Sequence, residues 1–283
     1  MINKYQEERL FKLLMVLSTA FILFLLCSVV FAVFYRGLPS LSWEMITQVP
    51  KGGYYMGKEG GVLNAILGSL YLAIGATVIS LLISLPIVLF INIYLKDNSK
   101  FAGFFRLLMD LLWGIPSIVY GAIAFAIMMF FGAKTSLLAG MITLAVMILP
   151  VMIRAMDEIL KTVPTGLVEA SYALGATKWE TSFKVIVKQT IPGITTAVLL
   201  SFGRAIGDAA SVIFTAGFTD RVPGSLFKPV ASLPLSIFFQ LGAPIKEVQN
   251  RAYASAVILT VIILLISISS RLLYKKYARN RIN

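Results

Sequence analysis

Six long apolar stretches dominate this sequence. A helix needs about 20 apolar residues to cross roughly 30 Å of hydrocarbon, and backbone polar groups inside a bilayer must be paired within the protein. We therefore predict an all-α membrane protein with six transmembrane helices in a single domain over residues 1–283. The predicted spans lie near 11–35, 66–95, 107–131, 136–153, 191–218 and 253–273. Pro86, Pro116 and Pro150 fall inside spans, where each can bend a helix.

Lysine and arginine are unevenly placed around these spans. If the N-terminus is inside the cell, most of the 25 basic residues lie on the cytoplasmic side of the membrane. Positively charged loops resist translocation, so this asymmetry predicts that both termini are cytoplasmic. The basic residues flank the spans and form no single patch, so the net charge of +12 does not indicate a nucleic-acid partner.

Two segments on the predicted external side are too short to be domains. They cover about 36–61, which contains two prolines and a glycine pair, and 219–251, which contains four prolines. Two interpretations are open. Each segment is either a solvated connector with short interfacial helices or a surface that receives an external partner.

A polar excursion within about 157–190 interrupts the apolar pattern on the cytoplasmic side. Thr165 is a candidate cap for a short helix over 166–174, and Gly175 stands where a left-handed residue ends such a helix. Thr177 and Glu180 have the spacing of a capping box, which predicts a second helix from Lys178 to about Val187. The excursion is expected to be two short helices joined by a tight corner.

The two helices of this corner are expected to have different tasks. Trp179, Phe183 and Val187 recur at four-residue steps and predict a face that packs against the ends of the spans. The first helix is then left to project. Its projecting residues are expected to be Leu167, Ala170, Ser171 and Leu174. A partner-docking device is favoured over a plain connector, because a rigid helix transmits force where a loop yields.

The corner resembles the EAA loop of ABC-importer permeases. The matching residues are Glu169-Ala170-Ser171, then Gly175-Ala176, then Ile191-Pro192-Gly193, with Ser171 at a position where Ala is usual. In that family the short helix sits in a groove of a cytoplasmic ATPase. The resemblance therefore implies that an ATPase couples to this chain through Glu169, Ala170, Ser171, Leu174 and Gly175.

Three further motifs are similar to those of phosphate-specific permeases. They are Gly60-Gly61-Val62-Leu63-Asn64-Ala65-Ile66-Leu67-Gly68-Ser69-Leu70, Gly114-Ile115-Pro116-Ser117-Ile118-Val119-Tyr120-Gly121 and Gly203-Arg204-Ala205-Ile206-Gly207-Asp208-Ala209-Ala210. Asn250-Arg251-Ala252-Tyr253-Ala254 and the modest length resemble the PstA-type subunit more than its PstC-type sibling.

This resemblance implies a type I ABC importer permease with a MetI-like fold in a bacterial or archaeal inner membrane. It also implies a PstC-like sibling permease, a PstB-like ATPase dimer that binds ATP and Mg, and an external PstS-like phosphate-binding protein. Two alternatives are carried forward. One is an ABC permease for another oxyanion or solute, and the other is a carrier or channel that works alone.

Arg204 is predicted to lie near the middle of the fifth span. An arginine there costs about 2.5–3.5 kcal/mol on insertion scales, so its presence needs a reason. Asp208, at a position where the phosphate permeases usually have Glu, follows one turn later and is expected to pair with Arg204. The pair either locks neighbouring helices together or lies on the substrate path, where a guanidinium fork suits phosphate oxygens.

Small residues lie beside this charged pair. Gly203, Gly207 and Ser211 form a stripe at four-residue spacing, which is typical of a face where another helix packs closely. Asp110, near the cytoplasmic start of the third span, is expected to have a capping or interfacial role rather than a substrate role.

Catalytic signals are weak throughout the sequence. It has no histidine and one cysteine, Cys27, which is expected to pack within the first span. Residues 52–58 have the spacing of a phosphate-binding P-loop, but Glu59 stands where Ser or Thr is required. We expect no enzyme activity, no metal site and no cofactor in this chain, with ATP hydrolysis on a separate subunit.

Overall fold

The computed structural model describes residues 4–51, 59–95 and 99–278, and the P-loop-like stretch 52–58 lies outside these ranges. The described α-helices are α1 Lys4–Gly37, α2 Trp43–Thr47, α3 Leu63–Leu89, α4 Lys100–Trp113, α5 Ser117–Phe130, α6 Leu137–Lys161, α7 Thr165–Ala173, α8 Lys178–Glu180, α9 Val187–Gly207, α10 Leu233–Leu241 and α11 Lys246–Ala278. Two short π-helical segments, Phe90–Tyr94 and Thr181–Ile186, continue α3 and precede α9. A two-residue antiparallel ladder pairs β1, Pro50–Lys51, with β2, Glu59–Gly60.

Five helical segments of the described chain are long and apolar enough to cross a membrane. They are Lys4–Ser40, Leu63–Tyr94, Leu137–Lys161, Lys178–Gly207 and Lys246–Ser269. A sixth span is present if α4 and α5 are counted together, although they are bent by 97° relative to each other.

The predicted third span, 107–131, is therefore divided by a sharp bend next to Pro116, a residue that was expected to bend a helix. Gly114, Ile115 and Pro116 separate α4 from α5. Proline lacks the backbone donor that a continuing helix needs, and it moves the preceding residue away from helical geometry. The Tyr120 hydroxyl donates to the Leu112 carbonyl at 2.7 Å, which braces the two helices across the break.

The predicted fifth span also has different bounds. It was expected to reach Phe218, but α9 ends at Gly207 and a run of turns follows. At its other end the helix is longer than expected, because α8, the π segment and α9 form one continuous helical rod over 178–207.

The main hydrophobic core lies between α3, α6 and α9. Leu72 on α3, Ile148 and Met152 on α6, and Ile206 on α9 are almost fully buried there. At Gly193 on α9, an added Cβ would come within 2.5 Å of Ile159 on α6, so the absence of a side chain lets these two helices approach closely.

A second core lies at the end of the bundle away from α7. It joins Met45 of α2 and Val62 to Leu233 of α10. Gly68 and Ser69 on α3 contact the segment that leads into α10. A Cβ at Gly68 would collide with the Ala231 carbonyl, so only glycine permits this approach. The Ser69 hydroxyl accepts a hydrogen bond from the Leu233 amide at 2.8 Å. Short helices lie in both predicted external segments, α2 within 36–61 and α10 within 219–251, and both are packed into this core.

Helix α1 stands apart from the rest of the bundle. Its side chains from Lys4 to Ala32 are exposed within the single chain. Contact with α11 is made at its end, where Gly37 lies against Tyr253 and Val257. The Arg36 guanidinium also donates to the Tyr253 hydroxyl at 2.9 Å.

Candidate functional site

Helix α7 and the turn after it form the predicted corner, which spans residues 162–177 between the end of α6 and the start of α8. Within the predicted loop, about 157–190, α6 extends to Lys161 and the predicted second helix begins at Lys178 and continues into α9. Helix α7 begins at Thr165 with Pro164 as its N-cap. The prediction that Thr165 caps this helix is therefore wrong, since Thr165 already lies in the first turn.

Gly175 ends α7 as predicted. Its φ of +81° is left-handed, a conformation that glycine adopts without a Cβ clash. The Gly175 amide donates to Tyr172 at 2.9 Å, and the Ala176 amide donates to Ser171 at 3.1 Å. These two bonds satisfy carbonyls at the helix end and set a sharp turn.

The capping box at the start of α8 is confirmed. The Glu180 amide donates to the Thr177 hydroxyl at 3.3 Å, and the Thr177 amide donates to the Glu180 carboxylate at 3.1 Å. Lys184 forms an ion pair with Glu180 at 2.9 Å. The first amide groups of the helical rod 178–207 therefore have hydrogen-bond partners.

The predicted packing face of Trp179, Phe183 and Val187 is only partly correct. Phe183 and Val187 lie against the main core, but Trp179 is 64% exposed and contacts Phe183 with ring centroids 4.2 Å apart. The π segment causes this difference. Its wider turn shifts the helical register, so that Thr181 and Ser182 become buried instead.

The residues expected to couple to an ATPase separate into two groups. Glu169, Ala170 and Gly175 are exposed, and Leu174 is 89% exposed at the apex of the corner. Ser171 was expected to project but is buried, and its hydroxyl lies 2.8 Å from the Thr181 hydroxyl. Ser171 therefore holds the corner together, while the others form an outer surface.

One contact ties the corner to the end of α3. The Lys178 ammonium lies 5.4 Å from the centroid of the Tyr94 ring. A cation at this distance from an aromatic face is attracted by the ring quadrupole. The corner is thus joined both to the rod that follows it and to the π segment of α3.

The membrane-embedded charges on α9 do not meet as predicted. Arg204 is exposed within the chain, and its Nε donates to the Met147 sulfur at 3.4 Å. Asp208 instead accepts from the Ser211 amide at 2.8 Å and from the Ser211 hydroxyl. The expected Arg204–Asp208 pair is wrong for this structure because α9 ends before Asp208, whose backbone is extended.

The small-residue stripe is also divided by the helix end. A Cβ added at Gly203 or Gly207 would meet no atom within 4 Å, so these glycines face open space. Ser211 lies beyond the helix and is buried, with its carbonyl 2.6 Å from the Cβ that Gly121 lacks. Ser211 therefore packs against α5, whereas the other two leave part of α9 uncovered.

A cluster of charges that the sequence did not reveal lies one turn before the corner. The Asp157 side chain on α6 is 3% exposed, and its carboxylate binds Arg106 of α4 at 2.9 Å and Lys161 at 2.8 Å. Asn92 of the π segment after α3 also donates to it at 2.8 Å. The four-residue spacing of Asp157 and Lys161 is a signal for their contact. No such signal exists for Arg106 and Asn92, which lie far from Asp157 in the sequence.

Asp110, which was expected to have a capping or interfacial role, forms an ion pair between two helices. Its carboxylate accepts from Arg154 Nε at 2.7 Å, which links α4 to α6. In the ranges that the structure describes, no group of three or more potential metal-ligating side chains is brought together. The charged groups at this end of the bundle join helices to one another.

The long apolar helices, the open charged face of α9 and the capped corner are features of a helical transport permease. Residues 89–282 match the family described as binding-protein-dependent transport system inner membrane component. The chain belongs to this family, and the predicted resemblance to ABC-importer permeases is confirmed.

Individual relatives extend this match over nearly the whole chain. The chain is 33% identical over 274 residues to the phosphate transport system permease protein PstA of Yersinia pestis, covering 96% of this chain and 91% of the relative. It is 32% identical over 256 residues to the protein of the same name from Haemophilus influenzae, covering 89% and 88%.

Solved structures confirm the predicted MetI-like fold. A chain of the MetNI methionine ABC transporter in an inward-facing conformation matches with a TM-score of 0.64 and 20% identity, covering 76% of this chain and 95% of that chain. An amino acid ABC transporter crystallised with histidines matches with a TM-score of 0.52 and 20% identity, covering 77% and 92%. At these identities the likeness concerns the fold alone.

Proposed function

We propose that this chain is the permease subunit of an ATP-driven importer of inorganic phosphate, with both termini in the cytoplasm. The observation that carries the proposal is the 33% identity to a phosphate transport permease over 96% of the chain, together with a rigid corner at the expected position. ATP and Mg bind to a separate ATPase dimer, and this chain performs no chemical step.

The corner is the proposed docking point for the ATPase. Leu174 is 89% exposed at the apex, flanked by exposed Glu169 and Ala170. An exposed leucine at the end of a capped helix suits insertion into an apolar groove of a partner. Because Gly175 and the Thr177–Glu180 box hold the corner rigidly, motion of the ATPase is passed to α6 and α9.

A sibling permease is the proposed partner of the open faces within the membrane. The uncovered stripe on α9 includes Leu200, Gly203 and Gly207, and helix α1 is exposed along most of its length. Small residues permit close helix packing in a bilayer. The translocation path would then run between the two permeases, with phosphate delivered by an external binding protein.

Arg204 is the proposed substrate-path residue. Its guanidinium is exposed, and its Nε has a thioether, a weak acceptor, as its partner. The fork of donors is thus able to replace water around a phosphate as it passes. Asp208 is assigned a different part, since it holds the turn after α9 through Ser211.

The test of the substrate is uptake by a reconstituted complex. The chain, a PstC-like sibling, the ATPase and the binding protein are placed in proteoliposomes, and ATP-dependent uptake of labelled phosphate is measured with sulfate, molybdate or an amino acid as competitor. Phosphate uptake that resists these competitors supports the proposal. Uptake of another solute in its place supports the alternative ABC permease, and uptake by this chain alone supports a carrier or channel.

The docking role is tested by co-purification of the ATPase. Leu174→Arg places a charge at the apex and is expected to abolish recovery of the ATPase with the permeases. Trp43→Arg is a matched control, since Trp43 is 77% exposed at the other end of the chain's fold. Retention of the ATPase by the Leu174 variant would contradict docking at this corner.

The role of Arg204 is tested by Arg204→Gln. Loss of phosphate uptake by a complex that assembles normally places Arg204 on the path. Normal uptake removes it from the path, and failure to assemble supports a structural lock instead.

A further inference from the structure

Two ion pairs attach α4 to α6 next to the corner, and the proposed function assigns them no part. Arg106 of α4 donates to both carboxylate oxygens of Asp157, from Nε at 2.9 Å and from the terminal Nη2 at 3.1 Å. Asp110 of α4 binds Arg154 at 2.7 Å. These four residues, Arg106, Asp110, Arg154 and Asp157, are called the α4 clamp below.

The clamp lies on the last turns of α6, directly before the corner. Asp157 lies four residues before Lys161, the last residue of α6, which is about 6 Å along the helix. Helix α7 starts at Thr165, after a short connection. A displacement of the corner therefore reaches Asp157 through one turn of rigid helix.

Helix α4 contacts the bundle along one apolar face. Ala102 and Met109 are buried there, and Phe105 and Leu112 pack against the main core. The Asp157 carboxylate is 3% exposed, so water does not weaken its bidentate contact with Arg106 as it would at a surface. The ion pairs thus add directional contacts between α4 and α6 to this apolar packing.

Helix α4 leads to the region around the proposed substrate path. It is joined to α5 through the break at Gly114–Pro116, which Tyr120 braces by its bond to Leu112. Gly121 on α5 lies against the backbone of Ser211. Ser211 in turn holds Asp208, four residues after Arg204.

We propose that the α4 clamp makes helices α4 and α5 move together with the corner. Motion of the ATPase would then reach the turn beside Arg204. This inference rests on the proposed function, because it needs an ATPase that moves the corner. Helix α9 has a separate route, since it continues directly from α8. The clamp residues are positioning residues, and their loss should uncouple α5 while leaving α9 coupled.

The experiment uses the full complex with one reporter cysteine at a time. In a Cys27→Ser background, Ile123→Cys reports on α5 and Leu200→Cys reports on α9, since these side chains are 56% and 59% exposed. Each cysteine carries a nitroxide label, and the mobility of the label is measured by electron paramagnetic resonance without nucleotide and with ATP plus vanadate. In the unaltered complex the mobility should change at both positions.

Arg106→Gln combined with Asp110→Asn opens the clamp. The nucleotide response at position 123 should fall about fivefold or more, the lower range of typical coupling between sites, and the response at position 200 should remain. Glu158→Gln is the matched control, because the Glu158 carboxylate pairs with Arg154 and Lys161 of its own helix. This control should preserve both responses.

Three results would overturn the clamp. They are a full response at position 123 in the opened variant, an equal loss at both positions, and a selective loss at position 123 in the Glu158 control. If the double variant does not assemble, Arg106→Lys keeps the charge without the fork, and a full response at position 123 in that variant counts against the clamp. Absence of any nucleotide response in the unaltered complex would instead contradict the proposed function.

Discussion

The hydroxyl oxygens of Ser171 and Thr181 lie 2.8 Å apart across the corner, and both side chains are buried. This contact joins α7 to the π segment that leads into α9. It sets the angle at which α7 leaves the bundle, and therefore the direction in which Leu174 projects. A residue expected to contact a partner instead supports the surface that does so.

Ser171→Ala should loosen the corner without unfolding the protein. It removes one partner of a buried hydrogen bond, a loss of about 1–3 kcal/mol because the Thr181 hydroxyl stays buried. We expect faster cleavage within 162–177 in limited proteolysis and weaker coupling of ATP hydrolysis to uptake. Ser182→Ala is the control, since that hydroxyl donates to Lys178 within the same helix. Equal rates of proteolysis in the two variants would contradict a stabilising role of the Ser171 hydroxyl in the corner.

Gly175→Ala should destabilise the corner by about 1–2 kcal/mol, the cost of a left-handed backbone for a residue with a Cβ. No atom lies within 4 Å of the added carbon, so backbone strain is the whole effect. Gly166→Ala is a matched control in equally open space within α7, and it should be neutral or slightly stabilising. The midpoint of thermal unfolding and ATPase recovery should fall for position 175 alone.

Thr177→Ala should weaken the start of α8 by roughly 1 kcal/mol, because it removes the side chain that accepts the Glu180 amide. Thr165→Ala should have little effect, since Pro164 is the N-cap of α7 and the Thr165 side chain caps nothing. Amide hydrogen exchange of residues 178–182 is the measurement. Faster exchange in the Thr165 variant than in the Thr177 variant would mean that the capping box does not stabilise this turn.

Asp208 and Ser211 should behave as an energetic pair, and Asp208 and Arg204 should not. The free energy of unfolding of Asp208→Ala, Ser211→Ala and the double variant should show a coupling of about 1 kcal/mol, since either substitution already removes the bond from the Ser211 hydroxyl to the Asp208 carboxylate. The cycle of Asp208→Ala with Arg204→Gln should be additive. A larger coupling in the second cycle would indicate an ion pair in another state of the protein.

Gly68→Ala should lower the yield of folded protein. The added Cβ would collide with the Ala231 carbonyl, and both are in packed backbone that has little room to move, at a cost of about 1–3 kcal/mol. Gly103→Ala on α4 meets no atom within 4 Å and is the control. Monodisperse protein recovered after detergent extraction measures the effect, and equal recovery of the two variants would contradict close packing of α3 on this segment.

Local chemistry made part of the corner predictable from sequence. The Thr177–Glu180 box and the left-handed Gly175 depend on groups at most a few residues apart, so their geometry follows from spacing. The same reasoning failed for Trp179 and Ser171. For Trp179, one wider turn in the π segment rotates the register, and the choice between α and π turns depends on packing against the core. For Ser171, the outcome depends on how α7 folds back against Thr181, ten residues further along the chain.

Sequence spacing did not predict which charged residues pair with one another. Asp208 stands one helical turn after Arg204 in sequence, yet α9 ends before it and the two charges take different partners. Asp157 meets Arg106, which is 51 residues away and on another helix. Neither outcome follows from the sequence near the residues concerned.

The sequence by itself determined that this chain is a bundle of membrane-spanning helices with a capped corner between two of them, because hydropathy and capping act within single segments. Only the tertiary structure decided how sharply the third span bends, which face of the corner is buried and which charges meet. Those outcomes depend on the relative placement of separate helices, which is set by packing of α3, α6 and α9 around a shared core.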